Sequence, residues 1–381
     1  MKILLNVRWP VGGIRTYLRY VYRLFPSENY SFTLLVPPND NLDTIQKDFG
    51  SRLSNIVTCE PKARQMFVAI TRLLRAEKYN LFHSHGLSSA LFAALPLRLS
   101  STPHIVTLHD VFLKHLFYGV KGRVKHFVIK SALHFADVVH LLGNDPKENM
   151  EEFFPTVARQ MSKLTVIKSG IEIDRFSGQK EKTVACSIRA ENSIPTDKRI
   201  LGFFGRFMAQ KGFGTLVDAI QILEQKPSQF TVPTVIAFGE GGFLDREKRM
   251  LQERDLMQHF VFLPFLPNIA DVLVQLDGVV MPSRWETAPI LPMEVLVSGM
   301  PLIASDCIGL REIVEHTPAF VFNWNDSEKL AEVIQQWSID SRKDEFVAYA
   351  QDAALRFDVR RTATKLRRLY SDLAAGKSIA N

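Results

Sequence analysis

Short apolar runs alternate with longer amphipathic stretches along nearly the whole sequence, and this alternation constrains the fold most. Lys2–Val7, Ser31–Val36, Tyr79–His83, His104–Leu108, Asp137–Leu142 and Lys163–Ile167 have the length and character of buried strands. Helix-like stretches such as Arg15–Leu24 and Lys62–Arg75 lie between them. Strands alternating with helices predict parallel, doubly wound sheets of α/β class. The pattern breaks once, at Ser177–Pro195, a polar stretch with Gly178 and the charged run Lys180-Glu181-Lys182. A second series follows: Ile200–Phe204, Thr234–Phe238, Phe260–Leu263, Gly278–Met281, Pro301–Ala304 and Ala319–Phe322.

The simplest architecture is therefore two facing Rossmann-like domains, 1–176 and 196–357, joined by a linker region at 177–195. Residues 358–381 are expected to form a C-terminal helix that can return to the first domain. It carries Arg360, Arg361, Lys365, Arg367 and Arg368, with Val359, Ala363, Leu366, Leu369 and Leu373 at helical spacing. A length of 381 residues suits two domains, and 46% hydrophobic with 23% charged residues excludes a largely disordered chain.

Cys59, Cys186 and Cys307 are widely spaced and show no CxxC, which predicts free thiols in a reducing compartment. Arg8 and the pair Gly12-Gly13 interrupt the apolar start before a signal-peptide core forms, and no run reaches membrane-spanning length. A cytoplasmic protein is expected, either free or peripheral on a membrane's inner face. Charge is uneven. Residues 1–170 hold 22 Lys and Arg against 12 Asp and Glu (+10), and residues 171–381 hold 25 against 28 (−3). An anionic membrane, an anionic acceptor or nucleic acid could each explain the basic half.

Three segments suit phosphate or sugar chemistry. Val11-Gly12-Gly13-Ile14 lies between a strand and a helix, where glycines either let a diphosphate approach or merely shape the turn. Phe204-Gly205-Arg206-Phe207-Met208-Ala209-Gln210-Lys211-Gly212 offers a guanidinium fork and an ammonium in one loop, a pair suited to a pyrophosphate without a metal. In Pro282–Glu294, Glu286 is expected at a loop tip beside free N–H groups, with a helix starting near Pro289 and Glu294 about one and a half turns along it. Such carboxylates can accept hydrogen bonds from sugar hydroxyls, stabilise a cationic centre, or simply cap a helix.

Together these segments resemble family 4 of the retaining glycosyltransferases, which have the GT-B fold. The resemblance rests on Gly202–Gly212, Phe238-Gly239-Glu240-Gly241, the Glu286-x7-Glu294 spacing and Gly299-Met300-Pro301-Leu302-Ile303-Ala304-Ser305. The N-terminal Gly-Gly loop, Thr107-Leu108-His109-Asp110 and Val166–Glu172 extend it over most of the chain. It implies that Arg206 and Lys211 hold the donor diphosphate beside Gly205, Gly239 and Glu240, and that Glu286 contacts the donor sugar. Backbone N–H groups of Thr287, Ala288, Ile290 and Leu291 would assist the phosphate, and Glu294 would bind ribose hydroxyls. Gly12 and Gly13 would line the donor phosphates, and His109 would sit near sugar and acceptor. Glu286, His109, Arg206 and Lys211 are thus the catalytic candidates. The chain departs from the family at Ser169, where Asn is usual, at Pro289, where Gly is usual, and at Val295, where Ala is usual.

His83-Ser84-His85 could suggest a metal site, but no further acidic or cysteine cluster completes one, and neither a metal nor a cofactor is expected. Phe112–Phe135 mixes Lys114, Lys121, Arg123, Lys125 and Lys130 with Phe112, Leu113, Leu116, Phe117, Tyr118, Phe127 and Ile129. A helix on an anionic membrane and a helix with one core face both fit that mixture; no motif points to nucleic acid. The expected activity is transfer of a sugar, with retention, from a UDP- or GDP-linked donor to a hydroxyl of a lipid-linked or polysaccharide acceptor. An epimerase or phosphorylase on the same fold, and a catalytically silent nucleotide-sugar-binding subunit, remain the alternatives.

Overall fold

A computed structural model describes residues 1–38, 42–160, 163–177, 187–226, 231–266 and 268–377. Contacts divide the chain into two units, Met1–Gly170 with Val359–Asn381, and Ile171–Asp358. The first unit holds β1 (Lys2–Val7), β2 (Ser31–Val36), β3 (Leu53–Thr58), β4 (Leu81–His85), β5 (His104–Leu108), β6 (Val138–Leu141) and β7 (Leu164–Val166). They form one parallel sheet in the order β3-β2-β1-β4-β5-β6-β7. The chain winds outward from β1 to β3 and then crosses back to β4. The order therefore reverses between β1 and β4, the place where open α/β sheets leave a crevice at their strand ends.

The sequence reading did not include β3. It is an edge strand whose side chains are only partly covered, so it lacks the apolar run that marks its neighbours. The inner strands β4 and β5, by contrast, are buried throughout.

The second unit holds β8 (Ile200–Phe204), β9 (Thr234–Phe238), β10 (Phe260–Leu263), β11 (Gly278–Met281), β12 (Leu302–Ser305) and β13 (Phe320–Phe322). This sheet too is parallel, in the order β10-β9-β8-β11-β12-β13, and reverses between β8 and β11. The loops after β8 and β11 are thus neighbours by topology alone. Two separate doubly wound sheets place the chain in the α/β GT-B class.

Two boundaries differ from the sequence reading. Residues 171–176, assigned there to the first domain, group with the second unit. Ile171 N–H donates to the Phe357 carbonyl at 2.8 Å, and both Ile171 and Phe176 are buried. Of the expected linker, Gly178, Lys180-Glu181-Lys182 and Cys186 lie outside the described residues. From Ser187 onward the chain is already built into the second unit: Ile188 and Ile194 are buried, and Ile188 N–H donates to Gln275 Oε1 at 2.8 Å.

The C-terminal helix, Val359–Ala374, packs in the first unit. It buries Val359, Ala363, Leu366 and Leu369, and Thr362 Oγ1 donates to the Lys168 carbonyl at 2.8 Å. Leu373, expected on that face, is only half-buried, while Tyr370, overlooked in the sequence, is fully buried.

Candidate active site

In the second unit the loops leaving β8, β9 and β11 press together so closely that their contact points admit only glycine. A Cβ on Gly239 would lie 2.0 Å from the Gly205 carbonyl oxygen. At Gly212, with φ +65°, a Cβ would lie 1.8 Å from the Pro282 carbonyl oxygen. Backbone bonds hold the same contacts: Gly205 N–H donates to Phe238 O at 3.0 Å, and Arg284 N–H donates to Gln210 O at 2.8 Å.

This framework brings Lys211 and Glu286 together. Lys211 Nζ donates to Glu286 Oε1 at 2.6 Å, with its stem lying along Gly205. Ser283 Oγ donates to the same carboxylate oxygen at 2.8 Å, and Gln210 Nε2 donates to Oε2 at 3.3 Å. Glu286 is only 5% exposed, so a carboxylate that the sequence placed at an open loop tip is instead buried and held by three donors. Its backbone explains the burial: Glu286 N–H donates to Ile308 O at 2.9 Å, which ties the loop down beside β12. The Lys211 side chain keeps 23% exposure and two further ammonium hydrogens. Burial beside this pair pushes the Cys307 thiol up to about 12, with the Glu286 charge adding to the effect, so Cys307 is protonated and inert.

Arg206 is exposed and makes no ion pair among the described residues; Glu240 is exposed as well. Thr287, Ala288, Ile290 and Leu291 are half-buried. The following helix is Leu291–Val297, two residues later than the start expected at Pro289, and Pro292 occupies its first turn. Glu294 therefore lies in that first turn, 8% exposed, rather than one and a half turns along.

Gly12, Gly13 and His109 belong to the first unit. Gly12 opens the helix Gly12–Tyr22 with φ +56°, and, chain neighbours and the helix's own backbone apart, no described atom lies within 4 Å of a Cβ placed on Gly13. Packing does not demand glycine at that second position; open space at a strand–helix turn is what a close-approaching ligand needs. The His109 ring is half-buried, with its Nε2 3.1 Å from His85 Nδ1, and loss of surrounding water lowers its basicity. His83 and His85 point into a buried network of tyrosine and threonine hydroxyls. Sequence reasoning missed Ser283 and Gln210, whose only signal was membership of the two loops.

Two family models match: one described as Glycosyltransferase Family 4 over residues 11–175, and one described as Glycosyl transferases group 1 over residues 186–353. This chain belongs to glycosyltransferase family 4. Among curated proteins it is 22% identical over 384 residues to an Escherichia coli UDP-Gal:alpha-D-GlcNAc-diphosphoundecaprenol alpha-1,3-galactosyltransferase, covering 96% of this chain and 95% of that one. It is 24% identical over 370 residues to the putative glycosyltransferase EpsF of Bacillus subtilis, covering 94% and 93%. Among solved structures, Anabaena Alr3699/HepE in complex with UDP-glucose aligns with a TM-score of 0.81 at 19% identity, covering 98% of this family member and all of that chain. The family member's paired loops after β8 and β11 are thus those of a glycosyltransferase.

Proposed function

We propose that this glycosyltransferase moves a sugar from a nucleoside-diphosphate donor to a hydroxyl acceptor with retention at the anomeric carbon, without a metal. The Lys211–Glu286 pair carries the proposal, because it sets a cation and a buried anion side by side where the second sheet reverses. Arg206 and Lys211 hold the diphosphate, and their two charges offset those of the departing nucleoside diphosphate. Glu286, fixed by Lys211, Ser283 and Gln210, meets the donor sugar beside the diphosphate and favours positive charge developing at the anomeric centre. Glu294 binds the ribose hydroxyls, N–H groups of Thr287, Ala288, Ile290 and Leu291 assist at the phosphate, and Gly205, Gly239 and Glu240 shape the wall. The acceptor attacks from the face the phosphate leaves, and that phosphate takes its proton. Uridine is the favoured base, given the UDP-Gal in the E. coli relative's name and the UDP-glucose bound to the Anabaena protein.

The acceptor is proposed to be lipid-linked, with the first unit resting on an anionic membrane. Among the described residues no helix is long and apolar enough to cross a membrane. The helix Gly119–Phe135 instead exposes Val120, Val124, Phe127 and Phe135 together with Lys121, Arg123 and Lys125, and Tyr118 just before it is 72% exposed. Phe112 and Ile129 from the same basic stretch are core residues, so the exposed apolar set differs from the one the sequence offered. Apolar side chains interleaved with cations suit an interface with anionic headgroups.

The test incubates the enzyme with UDP- and GDP-sugars and polyprenyl-diphosphate-sugar acceptors in EDTA, and reads the new linkage by NMR. Retained configuration without metal is expected. Inverted configuration, turnover only with added Mg²⁺ or Mn²⁺, or isomerised donor without acceptor would overturn the proposal.

A further inference from the structure

The first sheet ends on an open edge. β3 pairs with β2 and, among the described residues, with no other strand. Its ladder is regular from Asn55 to Thr58, opposite Thr33 to Val36, and the register shifts only near its start. Cys59 N–H donates to the Val36 carbonyl at 2.9 Å, which fixes the phase of the strand. Successive residues of a strand aim their backbone groups to opposite sides. Asn55 and Val57 therefore serve β2, while the N–H and C=O of Ile56 and Thr58 face outward.

Such an edge invites a further strand, and proteins usually blunt it by shortness, by Lys or by Pro. The other edge strands, β7, β10 and β13, are three, four and three residues long, whereas β3 has six. Leu53-Ser54-Asn55-Ile56-Val57-Thr58 contains neither a charge nor a proline.

Beside this edge lies a groove of about 660 Å³, between the end of β3 and the helix Ala63–Ala76. Its floor is apolar: Val57, Ala69 and Leu73 are half-buried, and Val68 is 46% exposed. Lys62, Arg64 and Arg72 line it too. All three are exposed, and none of their side chains has an ion-pair partner among the described residues. An open backbone edge, an apolar floor and a cationic rim thus coincide in one place.

We propose that β3 takes up an extended, acidic segment of a partner protein as an added strand of the first sheet. Main-chain bonds to Ile56 and Thr58 hold the segment, and its alternate apolar side chains enter the groove over Val57, Val68 and Leu73. Its carboxylates meet Lys62, Arg64 and Arg72. A second copy of this chain is the poorer occupant, because it would bring two sets of the same cations together. None of these residues belongs to the proposed transfer machinery, so the proposal stands or falls independently of it.

The probe is a pool of fluorescent decapeptides with Val, Ile or Leu at alternate positions and Asp or Glu between them, titrated into the full chain at low salt. A pool with Lys in place of the acids is the control. Saturable binding of the acidic pool at or below about 100 μM is expected, with the Lys pool at least about tenfold weaker. The double change Arg64→Glu and Arg72→Glu should weaken the acidic pool at least about tenfold. In folded protein Thr58→Pro should do the same, because it removes an outward N–H that β2 does not use. Hydrogen exchange on the wild type needs no variant to fold: the acidic pool should slow the Ile56 and Thr58 amides at least about tenfold. No saturable binding, equal binding of the Lys pool, or unchanged exchange at those amides would overturn the proposal. So would a wild-type dimer that protects them without peptide, or anionic vesicles that protect them while the peptides do not; those results would point to a second copy or to a membrane.

Discussion

Replacing Lys211 by Met removes the ammonium while keeping the stem along Gly205, and it separates the functional from the structural value of the Lys211–Glu286 pair. The carboxylate stays buried and loses the donor at 2.6 Å, but keeps Ser283 Oγ at 2.8 Å and Gln210 Nε2 at 3.3 Å. Stranding one partner of a fully buried ion pair costs about 3–5 kcal/mol. Two remaining donors and a lysine that is 23% exposed reduce this to about 1–2 kcal/mol. At about 2–4 °C per kcal/mol for a unit of this size, the melting temperature should fall by about 2–8 °C. The diphosphate meanwhile loses one of two cations when its negative charge is released. Removing one such preorganised donor costs about 2.7–4 kcal/mol, so kcat/KM should drop about 10²- to 10³-fold. Adding Glu286→Gln should recover much of the lost stability and none of the activity, because a neutral amide tolerates the missing ammonium. Calorimetry and initial rates on the single and double variants provide the cycle. A folded Lys211→Met enzyme within threefold of wild-type kcat/KM would refute the reasoning, and so would a variant that fails to fold.

Two further outcomes follow from the first unit. Burial lowers the basicity of the fully buried His83, His85, His104 and His140, to about 3 for His104 and about 4 for His140. Unfolded rings titrate near about 6.5, so below that pH the unfolded chain binds more protons and stability falls. Each ring contributes about 1.4 kcal/mol per pH unit until its folded value is reached. The melting temperature should therefore be flat above about pH 7 and fall steeply from about pH 6.5 downward; a flat profile to pH 5.5 would contradict this. On anionic vesicles the protein should co-sediment at low salt and be released at high salt, and changing Lys121, Arg123 and Lys125 to Glu should abolish binding. Protein left in the supernatant at low salt would point to a soluble acceptor.

Much of the architecture was legible because parallel strands buried on both faces must be apolar runs, as β1, β2, β5, β8, β9 and β11 are. The edge strand β3 was not, because half-exposed side chains carry no such signature. The loops holding Arg206, Lys211, Glu286 and Glu294 were also legible, since glycines and charges stand out next to strand ends. Their mutual geometry was not. Lys211 and Glu286 are 75 residues apart, and only the adjacency of β8 and β11 brings them together; Ser283 and Gln210 became visible only once that contact existed. Tyr370 illustrates the same limit. Its helix showed a clear apolar face in the sequence, but nothing local marks a hydroxyl that meets His83 across 287 positions.

The central claim is that the loops after β8 and β11 bind a nucleoside diphosphate through Arg206 and Lys211 without metal. Calorimetric titration of UDP, GDP, UDP-sugars and GDP-sugars into the full chain in EDTA, for wild type, Arg206→Ala and Lys211→Met, tests it most directly. The account predicts saturable binding of a nucleoside diphosphate to the wild type and at least about tenfold weaker binding to each variant, the scale of one lost charge-assisted contact. Binding that requires added divalent metal, or wild-type affinity in both variants, would contradict it.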